Sequence, residues 1–347
     1  MKIGVIPQGP IEWMVIKGNL APAPLVHTQI SFVLSQAVLS AFKFGIFETM
    51  RDGSASLAQI AKETQLNERA LNSLMNVLLS AGYFHYSGGT YGLTGMAKKW
   101  CLKDAPNNVY DQQMFNIVCR DWMPYMDEFL QTGRGLQYHD TFSDREWDLY
   151  QKGMNSVARL TAKASVKLAP KLTAPARMLD IGGAHGANSV AFCEKYPSLT
   201  ATVLELPQAI EKAAPLLAAH NPGNRVKHKA GNALTDDLGT NEYDLILVSS
   251  LIHHFTGEQT IALSEKVSRA LKPGGYYLIQ EFTRPKPAAR MEMIGTVLDL
   301  FFNLSSTAGN WSADEIKTFQ CTAGLRHLKI NKFVAPPGYV QAVAVKT

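Results

Sequence analysis

The feature that most restricts the fold is a change of period near residue 173. From there on, strand-like runs alternate with helical stretches: residues 177–181, 200–206, 225–229, 243–248, 276–282, 328–334 and 340–345 read as strands. Strands that alternate with helices predict a parallel sheet covered on both faces, an α/β arrangement. A ligand then belongs beyond the carboxyl ends of the strands, where the strand order reverses.

Two features fall at such strand ends. The first run is followed by Asp180-Ile181-Gly182-Gly183-Ala184-His185-Gly186, and glycines there let the chain turn tightly and let a ligand approach without a Cβ in the way. The second run ends on Glu205, about 25 residues after Asp180. An acid at that place accepts hydrogen bonds from ribose hydroxyls. A strand–glycine–helix element also serves nicotinamide and flavin dinucleotides, but the spacing lacks the full G-x-G-x-x-G pattern. A dinucleotide needs its pyrophosphate at a helix N-terminus. S-adenosylmethionine carries a sulfonium and no phosphate, and Asp180 suits that cation or the amino-acid part beside it.

Residues before 173 read as helical. Apolar positions recur at helical spacing through residues 25–50 (Leu25, Ile30, Phe32, Val33, Leu39, Phe42, Phe44). A winged-helix unit is expected next: helices over 56–64 and 67–79, a stop at Gly82, then strands over 83–86 and 90–94 around a Ser-Gly-Gly turn. The expected division is 1–105, 106–172 and 173–347, the middle part being connecting helices that contribute to a substrate pocket. Large side chains crowd that part; with others further on, Phe115, Trp147, Tyr150, Met154, Phe301 and Phe302 are the candidate pocket walls. They suit a flat, largely apolar acceptor. The helix opening Asn67-Glu68-Arg69 is not basic, and the chain's net charge is only +5 over 347 residues, so a nucleic-acid partner is not expected. No uncharged apolar stretch reads as spanning a bilayer, and no membrane partner is expected. The four cysteines are scattered, with no C-x-x-C pair, so no metal site is expected. With no secretory start either, a cytoplasmic location is expected.

These motifs together resemble the small-molecule methyltransferases typified by caffeic acid and acetylserotonin O-methyltransferases, along nearly the whole chain. The resemblance implies a Rossmann-like methyltransferase sheet preceded by a mainly α-helical winged-helix dimerisation domain, S-adenosyl-L-methionine as cofactor, and a homodimer formed through the N-terminal domain. Asp180-Ile181-Gly182-Gly183-Ala184-His185-Gly186 is similar to the family's donor loop, with Ala184 for its third glycine. Leu204-Glu205-Leu206-Pro207 resembles its F-D-L-P. Gly231-Asn232-Ala233 stands where the family contacts adenine, and Ser249 where plant members often carry lysine. Asp180, Gly182, Gly183, Gly186, Glu205, Leu206, Gly231, Asn232, Ala233 and Ser249 are therefore the expected cofactor-binding residues.

The resemblance also makes His253, nine residues past Asp244, the base, with His254 beside it as a second catalytic candidate. A phenol is a poor nucleophile at neutral pH, and a neutral imidazole can take its proton as the new bond forms. The acid that orients this histidine in many plant members has no counterpart in Ala308-Gly309-Asn310-Trp311-Ser312; Asp314 and Glu315 follow on the next helix. The reading is a methyltransferase acting on a hydroxyl of an aromatic or other apolar small molecule in secondary metabolism. The alternatives are methylation of an electron-rich carbon and a repurposed donor-binding protein with little methyl transfer.

Overall fold

The computed structural model describes residues 6–173, 176–287 and 293–347. The chain divides into two compact units, residues 2–118 and residues 119–347, so the segment expected to stand between them is shared out at Val118.

In the N-terminal unit, Ser56 caps the helix Leu57–Thr64 through a capping box with Gln59, and Asn67 caps Glu68–Ser80. Each cap accepts from an N–H that has no partner inside its helix. Strand β1 (Ala55–Ser56) lies beside β3 (Thr90–Leu93), which pairs antiparallel with β2 (Phe84–Ser87). Ser87 faces Thr90 across a two-residue turn in which Gly88 and Gly89 both take left-handed φ, 57° and 80°. Only glycine adopts that pair freely. Phe42, Phe47, Met75, Leu78 and Phe84 pack the core of this unit.

One expectation is corrected here. Ala23–Lys43 forms one helical run of 21 residues, joined through a π-turn at Val26–Ile30, and by length and composition alone it could cross a bilayer. Pro22, Pro24 and the polar His27-Thr28-Gln29 interrupt the apolar pattern in the sequence, although they do not interrupt the helix. Leu25, Ile30, Phe32, Val33 and Phe44, on or just after this run, are exposed in the single chain.

The C-terminal unit is built on seven strands: β4 (Arg177–Ile181), β5 (Thr200–Glu205), β6 (Val226–Ala230), β7 (Tyr243–Ser249), β8 (Leu271–Phe282), β9 (Arg326–Lys332) and β10 (Tyr339–Val345). Their spatial order is β6-β5-β4-β7-β8-β10-β9. The first five are parallel, whereas β10 is antiparallel to both its neighbours, so the sheet is mixed where a parallel one was expected. β9 ends at Lys332 and Val334 is fully exposed, outside the strand expected there. Alternate residues feed the two faces. Met178, Val203, Leu245, Leu247 and Val343 pack one core, under helices that include Ala187–Lys195; Leu179, Ile181, Ile246, Tyr277 and Ala342 pack the other, under Gly257–Ala270 and Ala313–Thr322. This period of two with both faces buried is why the central strands read as apolar runs, whereas the edge strands β6 and β9 stay largely polar and exposed.

The order reverses between β4 and β7. From β4 the chain steps outward to β5 and β6, then returns to place β7 on β4's other side. The loops after β4 and β7 therefore open from one crevice. A second loop, residues 133–137, is pinned to the end of the helix Met293–Ser305 by the Leu136 N–H on the Leu304 carbonyl, 2.8 Å. Gly135 is required there because a Cβ would overlap the carbonyl oxygen of Ser306. Gly135→Ala should therefore destabilise the protein by about 1–3 kcal/mol, the usual cost of overpacking. The measurement is a lowered urea midpoint at unchanged m; an unaltered midpoint would show that the two segments separate freely.

Candidate active site

The donor-side residues gather around the β4 turn. Asp180 is fully buried near the end of β4. Its Oδ2 accepts from Ser189 Oγ at 2.7 Å, while its Oδ1 is buried with no protein partner. Burial pushes its carboxyl up to about 7, with the neighbouring charge of Glu205 adding to the rise and the Ser189 hydrogen bond opposing it. Gly182 takes φ 67°, and a Cβ on Gly183 would meet the Asp180 carboxylate at 2.6 Å, so the turn wraps the acid with bare backbone. Gly186 caps the helix that follows. Ala184, in the place of the family's third glycine, is held at φ 45°, a conformation an alanine rarely adopts. Two hydrogen bonds hold it: its N–H donates to Glu205 Oε2 at 3.2 Å and its carbonyl lies 2.7 Å from His228 Nε2.

Glu205 ends β5, its Oε1 accepting from the Leu206 N–H at 2.8 Å; burial raises its pKa. Gly231, Asn232 and Ala233 form the turn after β6. The Asn232 side chain is engaged within that turn, accepting from the Leu234 N–H, and the Ala233 carbonyl is anchored by Lys266. Ser249 ends β7 and meets Asn188, Gln280 and Tyr339 through its hydroxyl. Asn188 Oδ1, like Asp180 Oδ1, is buried without a protein partner. Orphaned acceptors beside an acid and a glycine turn fit a ligand that brings a cation and hydrogen-bond donors, as S-adenosylmethionine does.

The histidine loop follows β7. His253 is 3% exposed, and its Nδ1 lies 3.0 Å from Oε2 of the fully buried Glu281 on β8. The absence of an acid in residues 308–312 does not leave His253 without a partner: the acid comes from the neighbouring strand. The 308–312 stretch instead clamps the loop, through the Ala308 N–H on the His253 carbonyl and Trp311 Nε1–H on the Ile252 carbonyl, 3.0 Å. Asp314 and Glu315 turn away to Lys286 and Arg284. His254 does not orient His253 by a hydrogen bond; its Nδ1 is engaged by Ser306 Oγ, and burial holds its pKa well below the ordinary value. His253 Nε2 has no partner among the described residues.

Around His253 the C-terminal unit brings an aromatic wall together. Phe302 stacks on the His253 ring at 3.9 Å, and Phe301 lies between Phe302 and Trp122. Trp147 and Tyr150 close the other side. Tyr150 faces Glu205 closely enough for that acid's charge to add to the burial that raises its pKa. Met154, one turn further along the same helix, takes part in a hydrogen bond with His185 through its backbone. Phe115 is buried in the N-terminal unit. Sequence reasoning missed Glu281, Tyr138, His139 and Phe142. Tyr138 stacks on Trp122 at 4.7 Å, and His139 on Trp147 at 5.3 Å. The 138–142 loop carries no periodicity, and Glu281 sits inside an apolar strand, where it gave no signal.

A glycine turn around a buried acid and a histidine held by a buried carboxylate thus open from one sheet crevice. An O-methyltransferase domain model matches residues 120–326, and an O-methyltransferase dimerisation domain model residues 26–103. The chain belongs to the O-methyltransferase family and is an S-adenosylmethionine-dependent methyltransferase. It is similar to the 3-hydroxy-5-methyl-1-naphthoate 3-O-methyltransferase of Streptomyces sahachiroi, 23% identical over 317 residues, 87% of this chain and 89% of that one. Acetylserotonin O-methyltransferase of Gallus gallus is 24% identical over 270 residues, 72% of this chain and 77% of its own. The crystal structure of human N-acetylserotonin methyltransferase with S-adenosylmethionine shares the fold, with a TM-score of 0.82 at 17% identity over 99% of each chain.

The raised Asp180 carboxyl has a consequence for stability. An acid that titrates higher in the folded state than in the unfolded chain costs stability once it ionises. That cost is absent below the unfolded value near 3.8, grows up to the folded value of about 7, and is complete above it. The stability of Asp180→Asn relative to wild type should therefore rise between about pH 4 and pH 7 by about 1–4 kcal/mol and then level off. S-adenosylmethionine affinity should fall in the same variant. Denaturation of the ligand-free proteins across pH, with calorimetry, checks both; a difference independent of pH would contradict the buried-acid account.

Proposed function

We propose that the chain methylates a hydroxyl of a largely apolar aromatic small molecule, with His253 as the general base and Glu281 holding it in place. The observation that carries this reading is the buried Glu281–His253 pair at the edge of an aromatic wall. The named relatives act on a hydroxynaphthoate and on acetylserotonin, both flat hydroxylated or acylated aromatics in keeping with that wall. The family favours oxygen over carbon as the methylated atom. The reading of a repurposed donor-binding protein rested on departures in the base half, and the Glu281 partner of His253 weighs against it.

The chemistry follows from the pair. The Glu281 carboxylate accepts from Nδ1–H of His253, which fixes the tautomer and turns the Nε2 lone pair toward the acceptor side. Nε2 can then take the hydroxyl proton as the oxygen becomes a nucleophile. The bound donor supplies an activated methyl group on a sulfonium. Asp180, Glu205 and the Gly182-Gly183 backbone would hold that donor, and the aromatic wall orients the acceptor and excludes water, so that alignment contributes much of the acceleration. Gly231, Asn232, Ala233, Leu206 and Ser249 belong to the same donor assignment.

We also assign the N-terminal unit a homodimeric role in the cytoplasm. The match to a dimerisation domain supports the pairing, and the exposed Ile30, Phe32 and Val33 offer apolar surface that a second copy would cover. Light scattering at micromolar concentration should report twice the chain mass without detergent. A stable monomer, or a species soluble only with lipid or detergent, would overturn this assignment.

For the reaction, His253→Ala should leave S-adenosylhomocysteine affinity nearly intact and lower kcat by roughly 10²–10⁴, and Glu281→Gln should lower it by a smaller factor. Both deficits should shrink across a series of substituted phenols as the hydroxyl becomes more acidic. A deficit that stays constant across the series would move His253 from proton transfer to shaping the wall.

A further inference from the structure

Three imidazoles run in sequence away from Glu281. The His254 ring centroid lies 4.2 Å from that of His253, and the His139 centroid 4.8 Å from that of His254. His139 comes from the loop ahead of the helix Asp144–Leu168 and is stacked flat on Trp147, 14° from parallel. Among the described residues no group of histidines, cysteines and acids has the arrangement to hold a metal ion. Burial pushes the His139 pKa down to about 4, with the nearby His253 adding to the effect, so at neutral pH this ring is uncharged. A neutral imidazole has one N–H to give and one lone pair to receive with.

The wall leaves those groups unused. His254 spends Nδ1 on Ser306. The Tyr138 and Tyr150 rings lie against each other, centroids 5.9 Å apart. Neither nitrogen of His139 has a hydrogen-bond partner among the described residues. The partly buried His139 ring can therefore exchange solvent for a polar group of a molecule that binds against the wall. His253 and His254 are neighbours in sequence with rings almost in contact. With centroids 4.2 and 4.8 Å apart in succession, the three rings are spaced closely enough for one small acceptor to meet more than one of them.

We propose that His139, with the free edge of His254, recognises a second oxygen on the acceptor, next to the hydroxyl presented to His253, so that ortho-dioxygenated aromatics are the preferred class. This rests on the aromatic-hydroxyl reading above. His139 acts in specificity, without touching the transferred proton.

The test compares naphthalene-2,3-diol with 2-naphthol, which lacks the second oxygen. Dissociation constants are measured on the protein loaded with S-adenosylhomocysteine, and kcat/KM with S-adenosylmethionine. Wild type should favour the diol by about ten-fold or more in both, the worth of one well-made hydrogen bond. His139→Phe keeps a flat ring against Trp147 and should bring the ratio down to about two-fold, through the diol. His139→Asn, which retains a donor and an acceptor, should keep part of the preference. Equal binding of diol and naphthol by wild type overturns the inference while leaving the aromatic reading intact. So does a Phe variant that weakens both acceptors equally, since His139 then only fills space. If neither compound binds or is methylated, the aromatic-hydroxyl reading fails and this inference with it.

Discussion

The parallel pairing of β4 with β7 is the constraint on which the site depends. Four registered residue pairs, Met178 with Leu245 through Ile181 with Val248, lock the two strands level. Their carboxyl ends then release the glycine turn and the histidine loop side by side. β8, paired with β7 on its other side, brings Glu281 up behind His253. A shift of one residue in either register would turn Asp180 or Glu281 to the opposite face of the sheet. Asp180, His253 and Glu281 are thus positioned by backbone hydrogen bonds between central strands.

Burial is what gives these groups their chemistry, and it acts in opposite directions on acids and bases. It raises Asp180 and Glu205, whose charged forms lose water, and lowers His139, His185 and His254, which stay neutral. A site assembled in this way is short of positive charge of its own. A cationic ligand would offset buried carboxylates such as Asp180 and Glu205, whereas an anionic pyrophosphate would face them with like charge.

The sheet also carries polar groups through its middle. Gln341 donates to Gln280, Gln280 to Ser249, and Asn188 on the donor-loop helix donates to Ser249 as well; Gln341 reaches the Ser165 carbonyl on the helix that holds Trp147 and Tyr150. Buried amides of this kind are costly unless fully bonded, and a bonded set permits few arrangements. The ladder ties the helix after the β4 turn to the helix that carries Trp147 and Tyr150, so the two are held in one geometry.

The sequence by itself determined the elements that local periodicity and turn chemistry encode. The strands were legible to within a few residues, the central ones because burial on both faces makes them apolar runs, and the caps at Ser56 and Asn67 and the glycine pair at 88–89 mark their own boundaries. Motif spacing marked Asp180, Glu205 and His253. Tertiary structure alone decided the rest. The antiparallel β10 reads no differently from a parallel strand, since direction is set by the pairing partner. Glu281 is separated from His253 by 28 residues and stands in a strand whose pattern announces only core. His139, Tyr138 and Trp122 come from loops and helix ends without periodicity, and they form one wall only because the chain folds them against the same side of the sheet.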